Sequence, residues 1–320
     1  IAVTQTDQWV NHNAHTRVWY AGKQQRSQHL IEQVELVRPD VLYIIGLFNW
    51  HFNIVPLLYA RAGRKLLSVR GMLHPGALSQ KPLKKKVFLQ LIKWMGIEKR
   101  ACLHATDQEE MDFIKNVFPA ADVLVAGNFP RRLQRQHVEP KQRGELKMVS
   151  VGIISPMKNY ALVLEALQTV KATLHYTIYG PVKEPGYWET CLALIQQLPA
   201  HITVSYQKEL PPHKVPAKLQ GNHVFILPSI SENYGHAIAE ALSAGLPVIT
   251  SNGVPWLGLA QAGAGVNVNG TVSELKEAIE FFADMEMEEL ENFSAAACRY
   301  IETKVDVAAL RQQYATLFAT

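Results

Sequence analysis

Short aliphatic and β-branched runs alternate with longer stretches of helical period along most of this chain, and that rhythm restricts its fold more than any other feature. Val41–Ile45, Lys65–Val69, Leu103–Ala105, Val123–Ala126, Lys147–Val151, Leu174–Tyr179, Ile202–Tyr206, His223–Leu227 and Pro247–Thr250 read as strands. Helical stretches separate them: Gln28–Val37, Val55–Ala62, Leu83–Met95, Gln108–Val117, Tyr160–Val170, Gly186–Gln197, Gly235–Ala244 and Val272–Met285. Runs such as VLYII and VFIL are apolar throughout rather than alternating, as strands covered on both faces must be. The pattern predicts an α/β chain with parallel sheets sandwiched by helices. Its 320 residues suit two doubly wound, Rossmann-like domains. The polar stretch Arg131–Leu146 reads as the linker, because the rhythm restarts after it at KMVSVG. The expected division is therefore 1–140, 141–304 and a closing helix in 305–320 that packs back on the first domain. Open parallel sheets bind ligands beyond the carboxyl ends of their strands, so substrate is expected in a cleft between the domains.

Composition removes several other classes. With 48% hydrophobic and 19% charged residues, the chain is neither disordered nor fibrous. Its longest apolar run, Val41–Phe48, falls far short of the ~20 residues of a spanning helix. Asp7, Asn11, His12, Asn13 and Arg17 lie where a secretory signal would be apolar. Cys102, Cys191 and Cys298 form no close pair, which excludes a CxxC site and fits buried thiols in a reducing, cytoplasmic setting. The chain opens on Ile1 rather than Met, so the natural protein is expected to begin upstream, with a leader or an early strand missing here. Net charge is +4, but Lys81, Lys84, Lys85, Lys86, Lys93, Lys99 and Arg100 against Glu98 put +6 into residues 81–100 alone. Basicity so local, without aromatics interleaved as a stacking platform, argues against a nucleic-acid partner. Leu83, Val87, Leu91, Trp94 and Met95 recur there at roughly helical spacing. The segment is read either as a peripheral membrane contact or as a core-facing helix with a solvated basic side.

The segment richest in chemistry is HVFILPSISENYGHAIAEALSAGLPVITS, His223–Ser251. A buried strand ends near Pro228, a polar loop follows, and a helix opens near Gly235 with Ile238, Ala241 and Leu242 on its apolar face. Such a helix start presents N–H groups and the positive end of a dipole, which suits an anion. Glu232 and Glu240 flank it. Carboxylates beside an anion site repel phosphate, but they bind vicinal hydroxyls well. The pattern suits a nucleotide-sugar, with diphosphate at the helix start and one acid on each sugar ring. The plain alternative is a helix capped by an early acid, with Glu240 on a solvated face.

The E-x7-E spacing within SENYGHAIAEALSAGLPVITS resembles the donor-site signature of the family 4 retaining glycosyltransferases of GT-B fold. VGIISPMKN, YTIYGP, LPPHKVPAKLQGNHVFILPS and PVITSNGVPW resemble further parts of that family's second domain, the last in its bacterial surface-polysaccharide subgroup. VRGMLHPGALSQKPLKKKVFLQL, LHATDQEE and VAGNFP resemble the subgroup's first domain. The resemblance implies transfer of a hexosyl unit from a nucleoside-diphosphate sugar to a glycan or lipid-linked hydroxyl, with retention and with neither metal nor cofactor. By position it implies Glu232 at the transferred sugar and Glu240 at the ribose. Lys158 would meet the departing diphosphate, or else be a solvated loop lysine. Gly152, Gly180, Asn233, Tyr234, Gly235 and His236 would line the donor. Arg70 would support the reacting centre or an acceptor anion, or else form a structural ion pair, and His74 is a lesser candidate. Two departures stand out. Ile153 occupies a place where relatives often carry Arg, and no strand–GG–helix precedes Trp19. The second departure motivates an alternative, a non-catalytic GT-B protein that binds glycan or nucleotide. The carboxylate pair also leaves open an epimerase or phosphorylase.

Overall fold

The computed structural model describes residues 6–22, 26–79, 81–135 and 137–319. Ile1, on which the expectation of an upstream start rests, lies outside them. The chain divides into two compact units, Ile1–Phe129 with Val307–Thr320, and Pro130–Asp306.

The first unit opens with an antiparallel hairpin absent from the strand expectations, β1 (Trp9–Asn13) and β2 (Thr16–Trp19). The indole of Trp9 donates to Gln33 at 2.8 Å and so ties the hairpin to α1 (Ser27–Val37). The α/β body follows as β3 (Val41–Ile45), α2 (Val55–Tyr59), β4 (Arg64–Ser68), α3 (Pro75–Leu78), α4 (Pro82–Trp94), β5 (Cys102–Ala105), α5 (Gln108–Val117) and β6 (Val123–Val125). The strands β3 to β6 lie side by side in sequence order, all parallel. Leu47, Ile54, Leu57, Leu67, Leu103 and Ile114 pack into one core there.

The second unit carries β7 (Glu145–Val151), α6 (Tyr160–Leu167), β8 (Thr173–Tyr179), α7 (Pro185–Gln196), β9 (Ile202–Tyr206), α8 (Val215–Leu219), β10 (Val224–Leu227), α9 (His236–Ser243), β11 (Val248–Ser251), β12 (Gly265–Val268), α10 (Val272–Asp284) and α11 (Met287–Lys304). Its six parallel strands run β12-β11-β10-β7-β8-β9. That order reverses between β10 and β7, which pair with Val224 opposite Met148 and Phe225 opposite Val149. Loops leaving the carboxyl ends of two such strands diverge and leave a crevice, the usual ligand position in a doubly wound sheet. β10 and β11 are buried at every residue, in keeping with their unbroken apolar character.

The unit boundary at Phe129/Pro130 falls ahead of the polar stretch read as a linker. That stretch belongs to the second unit, because its side chains and backbone bond to helices there. Leu133 N–H donates to Ser243 Oγ at 3.0 Å, Arg135 Nε to Ser294 Oγ at 3.2 Å and Arg132 to the Val305 carbonyl at 3.1 Å. Polarity without period described a strap, not a free tether. The closing helix α12 (Val307–Phe318) returns to the first unit. Leu317 is buried there with Leu66, Cys102 and Ala126. Arg64 donates to the carbonyls of Leu317 and Ala319, at 3.1 and 2.5 Å, and so serves the unsatisfied end of the helix.

Candidate active site

Three loops at the carboxyl ends of β7, β10 and β11 are stitched together in the second unit. Ile230 N–H donates to the Met157 carbonyl at 2.8 Å, across the switch point. Glu232 N–H donates to the Gly253 carbonyl at 3.1 Å. Ser251 Oγ donates to the Ser229 carbonyl and accepts from Gly253 N–H at 3.0 Å. Gly253 is required here, since a Cβ would stand 2.0 Å from the Ile230 carbonyl oxygen.

This stitching brings Lys158 and Glu232 together. Lys158 ends a short turn, Pro156–Lys158, after β7, and Glu232 follows β10. Their ammonium and carboxylate form an ion pair with side chains only 22% and 12% exposed. Fully buried Ser229 donates a second hydrogen bond to the same carboxylate oxygen at 2.7 Å. The carboxylate is thus held by one cation and one hydroxyl. Asn159, at φ 58°, then turns the chain into α6.

Gly235 heads α9 at φ 76° and brings no capping side chain to the helix start. The indole of Trp256 lies beneath it, where a Cβ would approach Nε1 to 3.3 Å. Trp256 Nε1 donates to the Tyr234 carbonyl at 2.5 Å, and the two rings meet edge-on at 5.1 Å. The Tyr234 ring also lies 4.7 Å from that of His236. The Tyr234 hydroxyl is buried and meets no partner among the described residues, and desolvation pushes its pKa up to about 12. Glu240, half-buried on α9, has its carboxyl pKa raised by burial, while the Arg131 guanidinium draws it back down. Arg131 is anchored to the Pro212 carbonyl at 2.6 Å. Gly152 and Gly180 allow β7 and β8 to end in close approach. A Cβ on Gly180 would lie 1.8 Å from the Gly152 carbonyl oxygen, which itself accepts from Tyr160 OH at 3.0 Å. Ile153 is 44% exposed and supplies no second cation.

In the first unit Arg70 sits just past β4 at φ 53°. Its partners are neutral: Asn128 Oδ1 at 2.6 Å and Tyr43 OH at 3.1 Å. Tyr43 OH and Ser68 Oγ reach His104 Nδ1 at 2.8 and 2.9 Å, and His104 Nε2 reaches the Ala126 carbonyl at 2.8 Å. A carbonyl only accepts, so His104 carries its proton on Nε2, and donors run in series from Arg70 through Tyr43 to the ring. Burial lowers the His104 pKa and keeps the ring neutral. Among the described residues no carboxylate forms a direct ion pair with Arg70, although the Glu110 carboxylate lies close by and accepts from the N–H of the next residue, Gly71. His74 is exposed and caps α3, its Nδ1 accepting from Gly76 N–H at 3.1 Å.

The structure therefore gathers Lys158, Glu232, Asn233, Tyr234, Gly235, His236, Glu240, Gly152 and Gly180 around the strand ends of one sheet, and sets Arg70 in the other unit. Sequence reasoning missed Ser229, Ser251 and Arg131 as supports. Only the Ser-x-Ser-x-Asn loop after an apolar strand, Ser229 to Asn233, could have signalled the first.

The family model described as glycosyl transferases group 1 matches residues 132–299. The putative colanic acid biosynthesis glycosyltransferase WcaL of Salmonella typhimurium is 27% identical over 187 residues, 55% of this chain and 45% of that protein. WcaL of Escherichia coli K12 is 26% identical over 184 residues, 54% of this chain and 44% of that protein. The chain thus spans about half the length of the curated relatives it matches. Among solved structures, Anabaena HepE with UDP-glucose superposes with a TM-score of 0.66 at 16% identity, over 90% of this chain and 81% of that one. Sucrose-phosphate synthase from Thermosynechococcus elongatus gives a TM-score of 0.69 at 15% identity, over 97% and 84%. These likenesses establish the fold as GT-B, with two Rossmann-like units.

Proposed function

This chain belongs to the glycosyl transferases group 1 family, and we propose that it moves a hexosyl unit from a nucleoside-diphosphate sugar to a hydroxyl of a glycan or lipid-linked acceptor, with retention of anomeric configuration. The observation that carries the reading is the Lys158–Glu232 pair held at the switch point beside the start of α9. As donor enters, Lys158 exchanges its carboxylate for the diphosphate and releases Glu232 to the hydroxyls of the transferred sugar. Glu240 takes the ribose. Cleaving the anomeric C–O bond leaves negative charge on the phosphate. The ammonium of Lys158, the Asn233–His236 backbone and the dipole of α9 stabilise it, so the reaction is written without a metal. The acceptor hydroxyl attacks from the face that the phosphate leaves and passes its proton to that phosphate. Arg70 serves the acceptor side. HepE was solved with UDP-glucose, which supports the donor class. A lipid-linked acceptor would bring the enzyme to the inner face of a membrane, with residues 81–100 as the peripheral contact.

The test is turnover of nucleoside-diphosphate sugars by the full-length gene product, with Glu232→Gln and Lys158→Ala beside it. One charge-assisted contact is worth ~1.5–3 kcal/mol, so each variant is expected to lose about 10- to 150-fold in kcat/KM. Undiminished transfer by either variant overturns the assigned roles. Donor binding with neither transfer nor hydrolysis would select the non-catalytic alternative, and inversion at the product's anomeric carbon would remove retention.

A further inference from the structure

Helix α4 has two apolar faces, and only one of them has a partner. Phe88 and Leu89 pack into the first unit's core and Ile92 is fully buried. Phe88 meets Phe48 at 5.5 Å and Trp50 at 6.5 Å. On the opposite side Leu83, Val87, Leu91 and Trp94 are 78, 67, 41 and 84% exposed. Their spacing of four, four and three residues places them in one stripe along the helix. The core-facing alternative for this segment is thereby corrected: four of the five apolar residues counted from the sequence lie outward, Met95 is half-buried, and the helix satisfies its unit with a different set.

We infer that this outward face of α4 lies on an anionic lipid bilayer. Charge selects that occupant over others. Exposed Lys84 and Lys86 border the stripe on either side, and exposed Lys81 and Lys99 stand at its ends. No acid occurs from Lys81 to Ile97, and one carboxylate oxygen of the next residue, Glu98, is buried. A helix whose apolar stripe is edged by lysines lies in the headgroup plane, with the apolar side chains below it and the ammonium groups at the phosphates. Trp94, the most exposed of the four, has the amphipathic ring favoured at that depth. The binding is peripheral, since among the described residues no helix is long and apolar enough to cross a membrane. A second copy of the chain would set these lysines against the same lysines. The inference deepens the acceptor side of the transferase reading by naming the surface on which a lipid-linked acceptor would be met. It rests on the helix itself.

The experiment is flotation of the whole chain with vesicles of phosphatidylcholine alone and of phosphatidylcholine and phosphatidylglycerol in equal parts. Neither donor nor acceptor is present, so failure here leaves the turnover assay untouched, and failure there leaves this result standing. Binding is expected to the anionic vesicles only, to weaken with added salt, and to bring Trp94 within reach of bromine-labelled acyl chains. Leu83→Ser/Val87→Ser/Trp94→Ser should lower partitioning at least tenfold. Lys84→Gln/Lys86→Gln should lower it about fivefold for each lysine. All five positions are exposed, and an unchanged melting profile confirms that the variants fold. Absence of binding to anionic vesicles, or binding that survives both variants, overturns the inference. A dimer that the serine variant dissolves, without vesicle binding, assigns the face to a second copy and overturns it equally.

Discussion

Separating Lys158 from Glu232 should destabilise the second unit more than neutralising both. A fully buried ion pair costs ~3–5 kcal/mol to break, and an exposed pair contributes under ~1 kcal/mol. At 22% and 12% exposure this pair lies between those limits. Lys158→Met strands a carboxylate that keeps only the Ser229 hydroxyl, and is expected to cost about 2 kcal/mol. Glu232→Gln leaves an ammonium on a flexible stem that can reach water, and should cost about 1 kcal/mol. The double variant removes both charges while Ser229 still finds an acceptor. Its cost should fall near 1 kcal/mol rather than the additive 3, a coupling of about 2 kcal/mol. In a unit of this size that coupling is worth roughly 4–8 °C in Tm. Urea unfolding, followed by circular dichroism and by tryptophan fluorescence, measures the cycle. Additivity within ~0.5 kcal/mol would mean that the two groups do not meet, and the switch-point argument would go with it. Transfer gives the contrasting readout: the double variant should be stable and still inactive.

Gly180→Ala forces a Cβ to within 1.8 Å of the Gly152 carbonyl oxygen, so the ends of β7 and β8 must part. It should cost at least ~2–3 kcal/mol and weaken nucleotide binding, whereas Gly186→Ala, with nothing within 4 Å, should leave the melting temperature at or above wild type. His223 titrates in the acid range. Burial first, then Lys147 and Lys141, push its pKa from 6.5 to about 4, and its Nδ1 accepts from Lys147 N–H at 2.9 Å. Between those values the unfolded chain takes up a proton that the folded chain refuses, so stability falls as pH drops, by up to about 3 kcal/mol, and levels off below about 4. A series of urea midpoints across that window should lose this slope in His223→Gln, and an unchanged slope would acquit the residue.

Much of this was legible beforehand because parallel sheets leave a plain trace. The unbroken VFIL and the polar loop before Gly235 located β10, its carboxyl end and α9 without coordinates. What stayed hidden depended on long-range pairing. Lys158 and Glu232 are 74 residues apart, and nothing in either segment names the other; only the strand order β10-β7 makes them neighbours. Arg131–Leu146 carried the composition of a tether because its polar groups bond to Ser243, Ser294 and Val305, which composition cannot display. The β1–β2 hairpin is too short and too exposed to print an apolar pattern, and β12, as GVNV, is half polar. For α4 the period was right and the orientation was not, since periodicity counts apolar residues without saying which stripe meets the core.

The route of the chain has a consequence for synthesis. Residues 130–306 form a continuous unit, but the first unit needs α12, which leaves the ribosome after all of them. Until Leu317 arrives, Leu66, Cys102 and Ala126 lack their cover. The later-made unit is therefore free to complete itself while the earlier-made one waits with an open apolar seam, a reversal of the usual N-to-C order of domain maturation.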